Sequence, residues 1–131
     1  MTDTDIETAW NVTGKLAKDL AGVLGALAHA KRLLILSALL VRPRLFSELR
    51  ELTRLRKTAL SHHLGLLVKA NIVKQQGRGR YEISSDGQKM LTAISATYLE
   101  SELFGDLKST RMARYIEKVY AERKEKEIED L

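Results

Sequence analysis

Leu16, Leu20, Val23, Leu24 and Leu27 return at three- and four-residue steps, the spacing of one helix face. An amphipathic helix is therefore predicted over about residues 12–27, with Trp10 packing near its start. Over residues 29–41 the pattern changes: Leu33, Leu34, Ile35, Leu36, Leu39 and Leu40 leave almost no polar side, which predicts a core helix buried against several neighbours. His29 is placed at its start. Pro43, the one proline, ends it, because its ring disfavours helical backbone at Arg42. Ser47 is placed to cap a short helix running to Leu52. A turn at residues 53–56 then leads into a further helix over about residues 57–70.

The period next shortens. Residues 72–76 and 80–84 are rich in Val, Ile and Tyr and read as two strands, joined by Gly77-Arg78-Gly79, whose glycines permit the positive φ of a tight turn. A two-stranded ribbon is too small to stand alone, so it must lean on the helices. Ser85 followed by Gln88 has the spacing of a capping box, and Leu91, Ile94 and Tyr98 repeat on one face of a long helix. Gly105 is a candidate break. Leu107, Met112, Tyr115, Ile116 and Val119 then extend an apolar stripe, and the charged run from Glu122 to Asp130 predicts a frayed end.

Charge adds a direction to this layout. The chain of 131 residues carries a net +5, but residues 42–80 alone hold ten Lys/Arg against only Glu48 and Glu51. That segment is +8, so the remainder sums to −3, with its acids gathered toward the two ends. A basic middle between acidic ends marks a polyanion-binding face. On a helical wheel at about 100° per residue, the helix over residues 57–70 puts Leu60, His63, Leu64 and Leu67 on one side. Thr58, Ser61, His62, Gly65 and Lys69 fall on the other. Small hydrogen-bonding side chains of this kind read base edges in the major groove, while nearby Lys and Arg hold phosphate. A glycine at position 65 costs roughly 1 kcal/mol of helix stability relative to Ala, and a close approach of the helix to a duplex would account for it.

Other chemistries are disfavoured. With no Cys, disulfides, thiolate metal sites and Cys nucleophiles are excluded together, and a reducing compartment is the natural home. No apolar run approaches the roughly 20 residues needed to span a bilayer, and the N-terminus is acidic where a signal peptide would be basic, so a cytoplasmic location and no membrane contact are expected. His62 and His63 point about 100° apart on a helix and cannot chelate one ion together, so no metal and no cofactor is expected. Ser61 beside these histidines is no triad, because nothing orients an imidazole toward its hydroxyl, and the chain is not expected to be an enzyme. Gly77-x-Gly79 precedes a strand where a dinucleotide fingerprint would open a helix. The seven aromatics form no stacking platform near the basic segment, which favours duplex DNA over RNA.

The run over residues 48–73, ELRELTRLRKTALSHHLGLLVKANIV, resembles the helix-turn-helix of the ArsR-like winged-helix regulators, with E-L-x-x-L, S-x-H-L-x-x-L and a following strand in ungapped order. LAHAKRLLILSALL, residues 27–40, resembles that family's preceding helix. The similarity covers about residues 25–91. It implies a mainly α fold, a winged helix-turn-helix with a two-stranded β-hairpin wing and long N- and C-terminal helices forming a dimer interface. By position, Lys57, Thr58, Ser61 and His62 take the base-reading places and Arg78 and Arg80 lie in the wing; Arg56 and Lys69 complete the expected DNA-binding set. His63 matches the histidine before the core Leu. Arg54 stands where many relatives have glycine, Ala59 where Thr is frequent, and Asn71 where Gly is common. The family's Cys-containing metal box aligns with residues 46–52, which hold neither Cys nor His.

The expected organisation is an N-terminal dimerisation helix (1–27), a DNA-binding core (28–85) and C-terminal dimerisation helices with a charged tail (86–131). Leu16, Leu20, Val23, Leu24, Leu91, Ile94, Tyr98 and Leu103 form the expected interface, since the apolar surface exceeds what a minimal winged helix covers. The reading is thus a small archaeal or bacterial transcriptional regulator that binds double-stranded DNA as a homodimer, with an unknown ligand or protein effector left open. The alternative is a winged helix used as a protein-interaction module in a larger complex.

Overall fold

The computed structural model describes residues 1–101 and 111–130. Contacts divide the chain into two compact units, residues 1–89 and 90–131.

The first unit begins with two helices where the periodicity predicts one. Helix α1 (Asp3–Lys15) starts nine residues early because Thr2 and Asp5 close a capping box: the Thr2 hydroxyl accepts from the Asp5 N–H at 3.1 Å and the Asp5 carboxylate accepts from the Thr2 N–H at 3.0 Å. After Val12-Thr13-Gly14, poor helix formers, the backbone turns at Leu16 (φ −111°, ψ 19°) and α2 (Ala17–Leu27) follows. Nothing in α1 is buried, and Trp10 stands 79% exposed.

Helix α3 (Ala30–Val41) is the core helix. Its N-cap is His29, whose Nδ1 accepts from the Lys31 N–H at 3.0 Å. Ile35, Leu36, Ala38 and Leu39 are buried, but Leu33 and Leu34 are exposed, so the helix is covered on one side rather than all round. Pro43 leaves Arg42 fully extended, as anticipated.

Two residues beyond, Arg44–Leu45 form β1, a strand too short to announce itself in the sequence. Helix α4 (Phe46–Thr53) follows at once. Ser47 is not its cap: the N-cap is Leu45, whose N–H donates to the Glu48 carboxylate at 3.1 Å. Arg54 then adopts left-handed backbone (φ 58°) and leads into α5 (Lys57–Lys69).

Helix α5 ends at Asn71, also left-handed (φ 60°), with the Asn71 N–H on the Val68 carbonyl and the Ile72 N–H on the Leu67 carbonyl, both at 3.0 Å. This pairing is a Schellman motif, which asks for Gly or Asn at that position. Strands β2 (Val73–Gln76) and β3 (Arg80–Ile83) pair antiparallel, Gln76 opposite Arg80, and β1 joins the free edge of β3 to give the order β1-β3-β2. The wing therefore has three strands where two were expected. The third ties it to the start of α4, where the Phe46 N–H donates to the Gly79 carbonyl.

Helix α6 (Ser85–Leu99) is capped by Ser84, one residue before the predicted cap. The Ser84 Oγ accepts from the Gly87 N–H at 3.0 Å and donates to the Asn71 carbonyl at 2.7 Å. Gly87 is obligatory here. A Cβ at that position would sit 2.6 Å from the Ile72 carbonyl oxygen and 2.9 Å from its Cγ2.

In the second unit, α7 (Arg111–Glu129) runs through the charged segment that the sequence reading expects to fray. The Glu100 carboxylate accepts from the Tyr120 hydroxyl at 3.0 Å and from the Lys124 ammonium at 2.9 Å, fixing the end of α6 against α7. Leu103, Gly105 and Leu107 lie outside the described residues, as does the side chain of Met112. No single helix among the described residues is long and apolar enough to cross a membrane.

Candidate nucleic-acid interface

Helix α5 divides as the wheel predicts. Leu60, Leu64 and Leu67 are at most 1% exposed, whereas Lys57, Thr58, Ser61, His62, Gly65 and Lys69 all face solvent. The inner leucines anchor the helix against the core and leave the outer side chains without a packing duty. At Gly65, a Cβ would meet no atom within 4 Å, so the fold itself gives no reason for glycine there. Arg56, the N-cap, makes no side-chain capping bond, so no N-cap side chain holds the first-turn N–H groups of α5, which lie beside two exposed cations.

The wing supplies a second basic element. Gly77 (φ 60°) and Gly79 (φ 71°) both use left-handed backbone, which places exposed Arg78 at the tip and Arg80 at the first position of β3. Tyr81, on the opposite face of the same strand, is buried and holds the ribbon to the body.

Not every cation of the basic segment is available. Glu48 pairs with Arg42 at 2.6 Å and with Arg44 at 3.7 Å, and Arg44 also donates to the Ala38 carbonyl. The Arg42 hydrogen bond is the largest of the influences that hold the Glu48 carboxyl down at about 2, followed by the Leu45 N–H, so this acid stays ionised and occupied with its own neighbours. Conversely, Arg50 and Arg54 join Ser47 and Lys57 around a surface notch between α4 and the start of α5. The sequence reading did not single them out as contacts. The signal was there in the ten-to-two excess of cations, but which of the ten are free is decided by Glu48.

The three histidines separate into inner and outer. His62 is exposed, while His63 turns inward and its ring lies 4.4 Å from that of His29. The His62 and His63 rings are 5.9 Å apart and tilted by 59°. Among the described residues no group of three or more His, Asp or Glu is arranged to hold a metal ion. His63 Nδ1 lies 2.9 Å from an Arg32 guanidinium nitrogen. Burial is the main cause that depresses the His63 pKa, helped by His29, Arg32 and His62.

Of the expected interface residues, Leu16 (48%), Leu24 (53%), Ile94 (45%) and Tyr98 (43%) are exposed and Leu20 and Val23 are half-buried. Leu91 is a correction. It is only 6% exposed within the single chain and so has little surface left to give an interface.

Residues 29–75, which run from the N-cap of α3 into β2, match the sequence profile of the arsR family of bacterial regulatory proteins. No curated protein matches the chain by sequence. Among solved structures the chain is similar to NolR from Sinorhizobium fredii, at 32% identity over 75% of this chain and 94% of that one, TM-score 0.57. Rv0081 of M. tuberculosis shares 29% identity over 70% of this chain and 96% of its own, TM-score 0.59. The homodimeric winged helix-turn-helix DNA-binding domain of Mb0332 from Mycobacterium bovis, a possible ArsR-family regulator, shares 25% over 70% and 88%, TM-score 0.59. With a relative this alike over nearly its whole length, and the profile resting on the helices that carry the exposed polar face and the basic notch, the chain belongs to the ArsR family of bacterial regulatory proteins.

Proposed function

We propose that the protein is a sequence-specific transcriptional regulator that binds double-stranded DNA as a homodimer, acts in the cytoplasm and catalyses no reaction. The observation that carries this reading is the outer face of α5: small, polar, exposed and flanked by cations at the helix start and on the wing. Thr58, Ser61 and His62 read base edges in the major groove. Arg56, Lys57 and the uncapped first turn of α5 hold phosphate, as do Lys69, Arg50 and Arg54. Arg78 and Arg80 follow the phosphates or the minor groove beside the recognition helix.

The dimeric state of the Mb0332 domain supports a two-fold arrangement here. The apolar stripes Leu16, Leu20, Val23, Leu24 and Ile94, Tyr98 are the surfaces assigned to it, with Leu103 added by its place in the sequence alone. Two recognition helices in successive major grooves stand about 34 Å apart, so the site is a near-palindrome of roughly two turns.

The test is selection of bound duplexes from a random pool, followed by gel shift and footprinting on the selected and scrambled sequences. Enrichment of an inverted repeat with protection over two turns is the expected result. Failure to bind any duplex at low salt would sink the DNA reading and make α5 a protein-docking helix.

A further inference from the structure

Arg32 is a buried cation, 8% exposed, on the first turn of α3. None of its partners is an acid. Its Nε donates to the Ala26 carbonyl at 2.6 Å, one terminal nitrogen donates to the Gly25 carbonyl at 3.1 Å, and the other reaches His63 Nδ1 at 2.9 Å. The two carbonyls belong to the last turn of α2, where the carbonyl end of the helix dipole favours a cation. One side chain of α3 therefore joins the end of α2 to the inner face of the recognition helix. Next to it, Lys31 Nζ donates to the Thr53 carbonyl at 2.8 Å and so holds the end of α4.

A guanidinium has donors and no acceptor, which settles the roles in the third bond: His63 Nδ1 accepts, and its proton sits on Nε2. The neighbouring ring, tilted by 50° to it, is used in the same way, since His29 Nδ1 accepts from the Lys31 N–H to cap α3. Two neighbouring imidazoles thus each spend the lone pair that protonation would remove. The groups acting on His63 are Arg32 and His29 from the start of α3 and His62 on its own helix, all cations or potential cations, while α2 contributes only carbonyls.

We propose that Arg32 and His63 are positioning residues for base reading, a latch that fixes the rotation of the recognition helix only while His63 is neutral. Ser61 and His62 precede His63 directly, so a turn of α5 about its axis moves both relative to the groove. The proposal rests on the DNA-binding function proposed above. Acid opens the latch: a charged His63 cannot accept and is repelled by the guanidinium 2.9 Å away.

The test compares wild type with His63→Asn, which keeps an acceptor near the Nδ1 position and does not titrate, and His63→Phe, which keeps a ring and has no acceptor. The intact protein is measured at pH 8 and pH 5.5 on a selected duplex and on a scrambled one. The wild-type ratio of specific to nonspecific affinity should fall about tenfold on acidification, the worth of one charge-assisted hydrogen bond. His63→Asn should lose less of its ratio across the range than wild type does, and His63→Phe should show the reduced ratio already at pH 8. Any contribution of exposed His62 is common to all three. Without DNA, ring NMR should find His63 as the Nε2–H tautomer, titrating below the ordinary histidine value, with Arg32→Gln moving it upward. Should Arg32→Gln fail to fold, the three His63 proteins still decide. A wild-type pH profile matched by His63→Asn, or an Nδ1–H tautomer, overturns the latch while leaving DNA binding intact. Absence of duplex binding by wild type at pH 8 overturns the function itself and the latch with it.

Discussion

Helices α1 and α5 are each 13 residues long and both carry an apolar stripe, yet they meet opposite fates. In α5, Leu60, Leu64 and Leu67 are sealed inside the chain; in α1, Ile6 and Trp10 are 53% and 79% exposed and no residue is buried. The same periodicity thus has two meanings. On the inner faces of α3 and α5 and under the wing, the chain covers its own apolar side chains. In α1, along part of α2 and on α6 and α7 it does not, and Leu24, Ile94, Tyr98, Tyr115, Ile116 and Val119 remain open to water. Amphipathic patterning reports that a face wants covering. It does not say whether the cover comes from the same chain.

The most severe way to probe this contrast is to truncate one leucine in each class. Leu64→Ala should cost about 2–5 kcal/mol of unfolding free energy, because a fully buried side chain leaves a cavity that its rigid neighbours fill only in part. Leu24→Ala should cost under roughly 1 kcal/mol under conditions where the protein is monomeric, since half of that side chain is already exposed. Leu24→Glu with Ile94→Glu should instead lower the mass seen by light scattering to that of a single chain. Urea melts and scattering read the two effects separately. Equal stability losses for Leu64→Ala and Leu24→Ala, or an unchanged mass for the double variant, would erase the distinction.

A second contrast lies within the proposed DNA face. Ser61→Ala or His62→Ala should cost about 1–3 kcal/mol on the selected sequence with little change in salt dependence, because base contacts specify while phosphate contacts position. Arg78→Ala or Arg80→Ala should weaken all sequences alike and lower the slope of log affinity against log salt by about one unit per lost phosphate. A gel-shift series across salt decides. If the wing variants lost specificity and the helix variants lost salt dependence, the two roles would have to be exchanged.

The helix pair and the wing were legible in advance because their signals are local: a 3.6-residue stripe, a lone proline, two glycines around an arginine. What escaped depends on partners distant in sequence. The strand at Arg44–Leu45 exists only because β3 offers an edge 35 residues later, opposite Tyr81 and Arg80. The start of α4 at Leu45 depends on a Glu48 carboxylate that Arg42 holds in place. His29 had no visible partner in the sequence, and its neighbour in space is His63, 34 positions away. Among the expected site residues, exposure on α5 followed from periodicity. The roles of Arg50 and Arg54 did not, because no spacing rule shows which cations an acid has already claimed.

Glu48 allows a smaller test by pH. Its folded pKa, about 2, lies below the ordinary value of 4.5, so the folded state binds this proton more weakly than the unfolded chain. The stability it contributes is complete above about pH 4.5 and is lost as pH falls toward 2. Glu48→Gln should therefore flatten the acid side of the stability curve in that window and leave the neutral region nearly parallel to wild type. Denaturant titrations at intervals between pH 5 and 2 measure it. An unchanged acid limb would mean the Arg42 pairing contributes nothing to folding.

The smallest expected effect returns to the region that completes itself. Arg54 holds φ at 58° on the turn between α4 and α5, a conformation that costs an L-residue roughly 1–2 kcal/mol and costs glycine little. Glycine gives back part of that gain through the greater freedom of its unfolded chain, so Arg54→Gly should stabilise the fold by about 0.5–1 kcal/mol. Asn71→Gly, at φ 60° in the Schellman turn, should change stability less, because Asn already tolerates this backbone. The two left-handed residues then differ in what justifies them. Arg54 opens onto the basic notch with Arg50 and Lys57, so the stabilised Arg54→Gly protein should bind every duplex more weakly and with a shallower salt slope, whereas Asn71→Gly should bind as wild type. A gain in stability with no loss of binding would leave Arg54 a strained residue without a purpose on the DNA face. It would also confine the phosphate contacts to α5 and the wing.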